Sequence, residues 1–110
     1  MLDVGFIGHV EAGGRIPLAL LCKGSGMQTI TPSAAPTYKV YGARPAASGS
    51  GMMEMASGTL GSSDTGSITG FRTGTLDIDY KFGAGSLYVM VFSYSDSGGS
   101  YGAMGSFEVT

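Results

Sequence analysis

The stretch 87–94, Leu-Tyr-Val-Met-Val-Phe-Ser-Tyr, constrains the fold of this chain more than any other part of the sequence. A short run of β-branched and aromatic residues between segments rich in glycine and serine predicts a strand rather than a helix. Side chains alternate across a strand, so its two faces carry different sets. One face holds Leu87, Val89, Val91 and Ser93. The other holds Tyr88, Met90, Phe92 and Tyr94. Both faces are apolar, which predicts a strand that lies centrally in its sheet and is hydrogen-bonded on both sides.

The rest of the chain is divided by turns into further short strands. The 20 glycines and the lack of strong helix formers in series favour short strands over helices. With 110 residues, the chain is expected to form one domain over 1–110. The predicted strands are 4–10, 15–23, 37–41, 52–60, 68–78, 87–94 and 103–109. Their number and spacing predict an all-β fold, a single immunoglobulin-like antiparallel β-sandwich of about seven strands.

The charge pattern argues against several classes of partner. The net charge is −2 at pH 7, and the six Lys and Arg residues are scattered, so no basic patch for nucleic acid is formed. No apolar run reaches membrane-spanning length. The start of the chain lacks the positive segment of a signal peptide. The single cysteine, Cys22, has no partner for an internal disulfide. We expect it to be a reduced, buried thiol beside Leu20 and Leu21, because free cysteine behaves as a small hydrophobe.

The end of the chain carries three linked patterns. A glycine opens the sixth strand in GSLYVMV (85–91), a small-residue hairpin follows in YSDSG (94–98), and GSFEV (105–109) closes the chain. This ending resembles the last two strands of immunoglobulin-like modules, which are common in extracellular bacterial proteins and in virion proteins of tailed bacteriophages. The alternating leucines of 15–23 are similar to their second strand. The chain departs from that pattern at Leu87, where a tyrosine often stands, in the absence of tryptophan, and in Cys22, which has no disulfide partner.

No catalytic motif is visible. His9 is the only histidine, and no serine lies in a Gly-x-Ser-x-Gly elbow. A nucleophile–histidine–acid triad needs partners of defined geometry. We therefore expect His9 to be a surface or strand-edge residue, and the protein to have no enzymatic activity.

Two weak metal patterns have simpler explanations. The soft ligands Cys22, His9, Met27 and the Met-Met-Glu-Met segment 52–55 would suit copper(I), but methionines at strand positions usually fill gaps in a core. Asp77 and Asp79, with Asp64 or Asp96, could form a site for calcium, which takes six or more oxygens, but the outward face of a strand explains an Asp-x-Asp pattern equally well. We expect neither a metal nor a cofactor.

The surplus apolar face of strand six is the candidate functional feature. A two-layer domain without helices leaves one apolar face of that strand uncovered, unless the loop 43–51 or the N-terminal segment folds over it. Contiguous exposed apolar patches mark interaction sites. Aromatic residues and methionine are enriched in interface cores, which favours one of the two faces as the partner-binding one. That face consists of Tyr88, Met90, Phe92 and Tyr94.

Two functions are consistent with the sequence. The first is a non-enzymatic structural or assembly protein that docks on other protein subunits, either copies of itself or a capsid or tail protein, within an oligomeric assembly. The resemblance implies a virion accessory module, a capsid decoration or cement protein or a tail-associated one, made in the host cytoplasm as a complete chain. The alternative is a carbohydrate-binding or adhesion module that uses some of the six tyrosines as stacking platforms.

Overall fold

The described part of the chain contains seven strands. The computed structural model describes residues 2–11, 13–43, 52–78, 82 and 87–110, with residues 2–10, 43 and 52 described through their backbone only. No described segment is a helix, so the described residues contain no helix that could span a membrane. The all-β prediction is confirmed. The strands are β1 (Leu2–Val10), β2 (Arg15–Leu21), β3 (Thr37–Ala43), β4 (Met52–Thr59), β5 (Phe71–Asp77), β6 (Leu87–Asp96) and β7 (Gly99–Val109).

The strands form two sheets that pack as a sandwich. The larger sheet has the order β1-β7-β6-β3-β4, and the smaller sheet pairs β2 with β5. β1 runs parallel to β7, and the other pairs are antiparallel. β6 lies between β7 and β3, so the predicted central position of this strand is confirmed.

The core lies between the two sheets and is rich in aromatic rings. Every second residue of β2 points inward, because side chains alternate along a strand. From the larger sheet, Tyr88 stacks on Phe107 with ring centroids 5.5 Å apart, and Phe82 meets Tyr88 edge-on at 5.0 Å. Large rings of this kind fill the space of about 10 Å between packed sheets.

Cys22 lies directly after β2 and is completely buried as a free thiol, which confirms the predicted burial. Its backbone N–H donates to the carbonyl of Gly70 at 2.9 Å, and its carbonyl accepts from Ile30 at 3.0 Å. These bonds hold three segments together at one end of the smaller sheet.

One charged side chain is buried among the described residues. Arg72 on β5 is 2% exposed, its Nε donates to Oδ1 of Asp64 at 3.0 Å, and its Nη1 donates to the carbonyl of Gly61 at 2.9 Å. A buried cation is tolerated only when it is paired and hydrogen-bonded. The pair therefore ties the segment after β4 to the start of β5, at one end of the smaller sheet.

Candidate protein-docking face

The face of β6 that the sequence favours for partner binding is buried, and the opposite face is the exposed one. The predicted docking residues Tyr88, Met90, Phe92 and Tyr94 are almost completely buried in the core. Their assignment to a partner-binding surface is therefore wrong. Aromatic rings bury more apolar area than valine side chains do, and the gap of about 10 Å between the sheets is wide enough to hold them. The aromatic face of β6 therefore packs in the core, and the valine-bearing face points outward. The Tyr94 hydroxyl also finds hydrogen-bond partners inside the protein.

The outer face of β6 consists of smaller apolar residues. Leu87 is 53% exposed, and Val89 and Val91 are partly exposed. In the register of the sheet, Val89 lies beside Tyr41 of β3, and Val91 lies beside Met104 of β7. Cross-strand neighbours on one face are close enough for their side chains to touch. We call this surface the outer patch, and its residues are Tyr41, Leu87, Val89, Val91 and Met104.

A polar rim surrounds the outer patch. Lys39 of β3 and Glu54 of β4 form an exposed ion pair, with Nζ and Oε1 3.6 Å apart. Ser93 and Ser106 continue the rim on β6 and β7. Exposed ion pairs contribute at most about 1 kcal/mol to stability, so this pair is a polar border rather than a structural link. An apolar centre within a polar rim is the usual anatomy of a protein interface.

The size of the outer patch sets what it can do by itself. Strands lie about 4.8 Å apart and rise about 3.4 Å per residue, so the patch spans roughly 10 Å across and 14 Å along β6. A stable interface buries about 800 Å² on each partner. The rim must therefore be buried together with the patch when a partner docks.

A concave feature lies at the end of the sandwich where β6 turns into β7. A groove of about 450 Å³ runs between the turn 23–27 and the start of β7, and a second one of about 360 Å³ lies on the other side of the hairpin. The residues common to both are Tyr94, Ser100 and Tyr101. We call the two together the open-end groove. Tyr101 fell outside the predicted last strand 103–109, although the alternation of inward residues extends back to it.

The described members of the soft-ligand set considered for copper(I) do not converge. Met27 is 57% exposed on the turn after β2, whereas Met55 packs against the core beside Tyr88. Cys22 lies near Tyr94, which is six residues beyond Tyr88 on β6. Cys22 and Met55 are therefore about 20 Å apart. His9 lies on the edge strand β1, where its backbone pairs with Glu108 of β7, and its side chain is outside the described part of the structure.

The aspartates of the calcium pattern are also separate. Asp77 pairs with Arg15 at 3.0 Å on the surface, and Asp64 pairs with Arg72. Asp79 lies outside the described residues. Within the described part of the chain, no group of three or more His, Cys, Asp or Glu side chains is placed to hold a metal ion.

Neither a family model nor a curated protein matches this chain.

Proposed function

We propose that this protein is a non-enzymatic structural or assembly module that docks on another protein subunit through the outer patch. The observation that carries the proposal is the partly exposed apolar row Leu87, Val89 and Val91 at the centre of the larger sheet, continued by Met104. Residues 44–51, the loop considered as a cover for this row, and the side chains of β1 lie outside the described residues. Contiguous apolar surface of this kind marks an interaction site on a monomeric domain.

The mode of docking follows from the position of β6. Its backbone groups are already used by β7 and β3, so a partner cannot add a strand to it. The contact must be made by side chains, face to face, as when two sheets pack on each other. Because neighbouring strands hold the patch on both sides, it is ordered before a partner binds, and little ordering entropy is lost.

The strand order supports an immunoglobulin-like module. In immunoglobulin folds the third, sixth and seventh strands share one sheet, and the second and fifth strands belong to the other. The same strands are grouped here, with β1 and β4 both added to the larger sheet. Together with the resemblance of the chain's ending to phage modules, this supports a virion as the assembly, with the protein as a capsid-decoration or tail-associated accessory.

The proposal is tested by removing the apolar row without touching the core. The double change Val89→Ser and Val91→Ser is compared with Leu21→Ser, which removes an exposed apolar side chain from the outer face of the smaller sheet. Burying one valine contributes about 1.5 kcal/mol, which is roughly tenfold in affinity. Changes at Phe92 or Tyr94 are unsuitable because both lie in the core.

Binding is measured by sedimentation equilibrium of the protein alone and by co-sedimentation with any capsid or tail proteins that are encoded beside its gene. We expect the double variant to fold and to lose association, while Leu21→Ser associates like the parent. If the double variant associates as tightly as the parent, the interface lies elsewhere on the molecule.

A further inference from the structure

The open-end groove is built around a tyrosine pair. Tyr94 and Tyr101 are directly opposite each other on β6 and β7, with ring centroids 5.7 Å apart. Both rings lie on the inner side of the larger sheet. The Tyr94 hydroxyl already reaches Lys23, which follows the end of β2, so the remainder of the hairpin has no strand of the smaller sheet opposite it. Tyr101 is consequently half-exposed and lines the groove on both sides.

Hydrogen-bond donors and hydrogen-bond acceptors both lie around the Tyr101 ring. Ser25 and Ser100 are exposed and supply hydroxyls that can donate or accept. Lys23 Nζ donates only a long bond of 3.5 Å, to the Met27 carbonyl, among the described residues. The Asp96 carboxylate accepts from the backbone N–H of Gly98 at 2.8 Å and keeps further acceptor positions. Lys23 is the one charged residue among the described residues that line the two grooves, and the Asp96 carboxylate lies outside that lining, where it and the Tyr101 hydroxyl both border Gly98. The two opposite charges at this end of the molecule offset each other.

The rim of the groove holds a strained apolar residue. Met27 has a φ of 63°, a left-handed conformation that favours glycine, and its side chain is 57% exposed. Such a conformation costs about 1–3 kcal/mol in a residue other than glycine. Gly26 is its neighbour and has no positive φ. The turn therefore presents an apolar side chain at the edge of the groove, at the expense of backbone strain.

We propose that the open-end groove binds a neutral oligosaccharide, with one sugar ring lying on Tyr101 and the next residue extending along the groove. A sugar ring offers an apolar C–H face and a border of hydroxyls, which matches an aromatic ring bordered by hydroxyl, ammonium and carboxylate groups. The volume of about 450 Å³ lies within the range of small-molecule sites. The second groove shares Tyr94, Ser100 and Tyr101 with the first and offers room for a further sugar residue.

The test is saturation-transfer NMR with maltose, cellobiose, lactose and chitobiose as neutral probes and glucuronate as a charged one. We expect at least one neutral disaccharide to receive saturation at its ring protons, and the amide shifts it causes to lie in residues 23–27 and 99–102. Tyr101→Ala should weaken binding at least tenfold. Tyr41→Ala, which removes a half-buried tyrosine from the outer patch, is the matched control and should leave binding unchanged.

A second variant keeps the test decisive if Tyr101→Ala does not fold. Ser25 is exposed on the turn, so Ser25→Trp fills the groove without touching the core and should abolish binding in a folded protein. The proposal is overturned if no neutral disaccharide binds, if glucuronate binds in preference to all of them, or if Ser25→Trp binds like the parent. Binding of a peptide control at the same amides, with none of the sugars, would overturn it as well.

Discussion

The hydroxyl oxygen of Tyr94 lies 2.8 Å from both the backbone nitrogen and the carbonyl oxygen of Lys23, accepting a hydrogen bond from the first and donating one to the second. The two residues are 71 positions apart: Tyr94 lies on β6 of the larger sheet, and Lys23 follows β2 of the smaller sheet. One hydroxyl thus joins the central strand of the larger sheet to the end of β2. A buried tyrosine keeps its hydroxyl only where it finds such partners.

We predict that Tyr94→Phe lowers the free energy of unfolding by about 1–3 kcal/mol, because the partly buried N–H and C=O of Lys23 lose their partner. Urea denaturation measures this change. The control is Tyr101→Phe, which keeps the neighbouring ring and should change stability by less than about 0.5 kcal/mol. Equal effects of the two changes would show that the link to Lys23 does not stabilise the fold.

We predict a loss of stability at alkaline pH. Burial raises the pKa of Tyr94 and outweighs the opposing effect of its hydrogen bond to Lys23, and burial likewise raises the pKa of Cys22 against the lowering effect of Arg72. Groups with a raised pKa in the folded state stabilise it fully below their ordinary pKa. That contribution is lost as the pH rises through the folded-state pKa. Stability should therefore hold up to pH 9.0, the ordinary value for cysteine, and fall above it.

Thermal melts at pH 8 and above measure this loss, and a Cys22→Ala variant should show a shallower fall. A melting temperature that stays constant or rises through the alkaline range would contradict the prediction.

We predict an asymmetric response of the pair between Arg72 and Asp64. Asp64→Asn leaves the buried guanidinium without a countercharge, whereas Arg72→Met leaves a carboxylate that is 25% exposed and can be hydrated. The first change should shift the urea midpoint more than the second, which we expect to cost about 1–2 kcal/mol. A larger shift for Arg72→Met would mean that the aliphatic packing of the side chain matters more than its charge.

The same pair predicts sensitivity to acid. The hydrogen bond from Arg72 holds the pKa of Asp64 below its ordinary value of 3.8. A lowered pKa stabilises the folded state above the ordinary value, and this stabilisation is lost as the pH falls through the folded-state pKa. The free energy of unfolding of the parent, measured by urea denaturation, should therefore fall below pH 3.8. The Asp64→Asn variant should lack the part of this fall that comes from Asp64.

We predict that Gly70→Ala is far more damaging than Gly66→Ala. Both glycines have positive φ, 78° and 64°, so the backbone strain is shared. A Cβ at Gly70 would lie 2.4 Å from the carbonyl oxygen of Ile30, which is fixed backbone, whereas a Cβ at Gly66 meets nothing within 4 Å. Strain of this kind costs about 1–2 kcal/mol, and the collision at Gly70 adds about 1–3 kcal/mol. Similar melting temperatures for the two variants would contradict this.

Much of the architecture follows from local sequence patterns. The strand positions were predictable because glycine, serine and proline end strands wherever they cluster, and alternation within a run is a local property. The central place of β6 followed in the same way, from two apolar faces on one strand. The sequence predicts the start of β7 four residues too late, since Gly99 and Ser100 resemble turn residues but are paired across the hairpin with Asp96 and Ser95.

The choice between the two faces of β6 was beyond local reasoning. Both faces are apolar, so alternation alone is symmetric, and the preference for an exposed aromatic face proved wrong. Partners distant in sequence decided it: Phe107 and Phe82 receive the ring of Tyr88, and Lys23 receives the hydroxyl of Tyr94. Sequence patterns thus determined where the strands lie and that β6 is central. The tertiary structure decided which face is free to dock, because only the gap between the sheets and its hydrogen-bond partners distinguish tyrosine from valine.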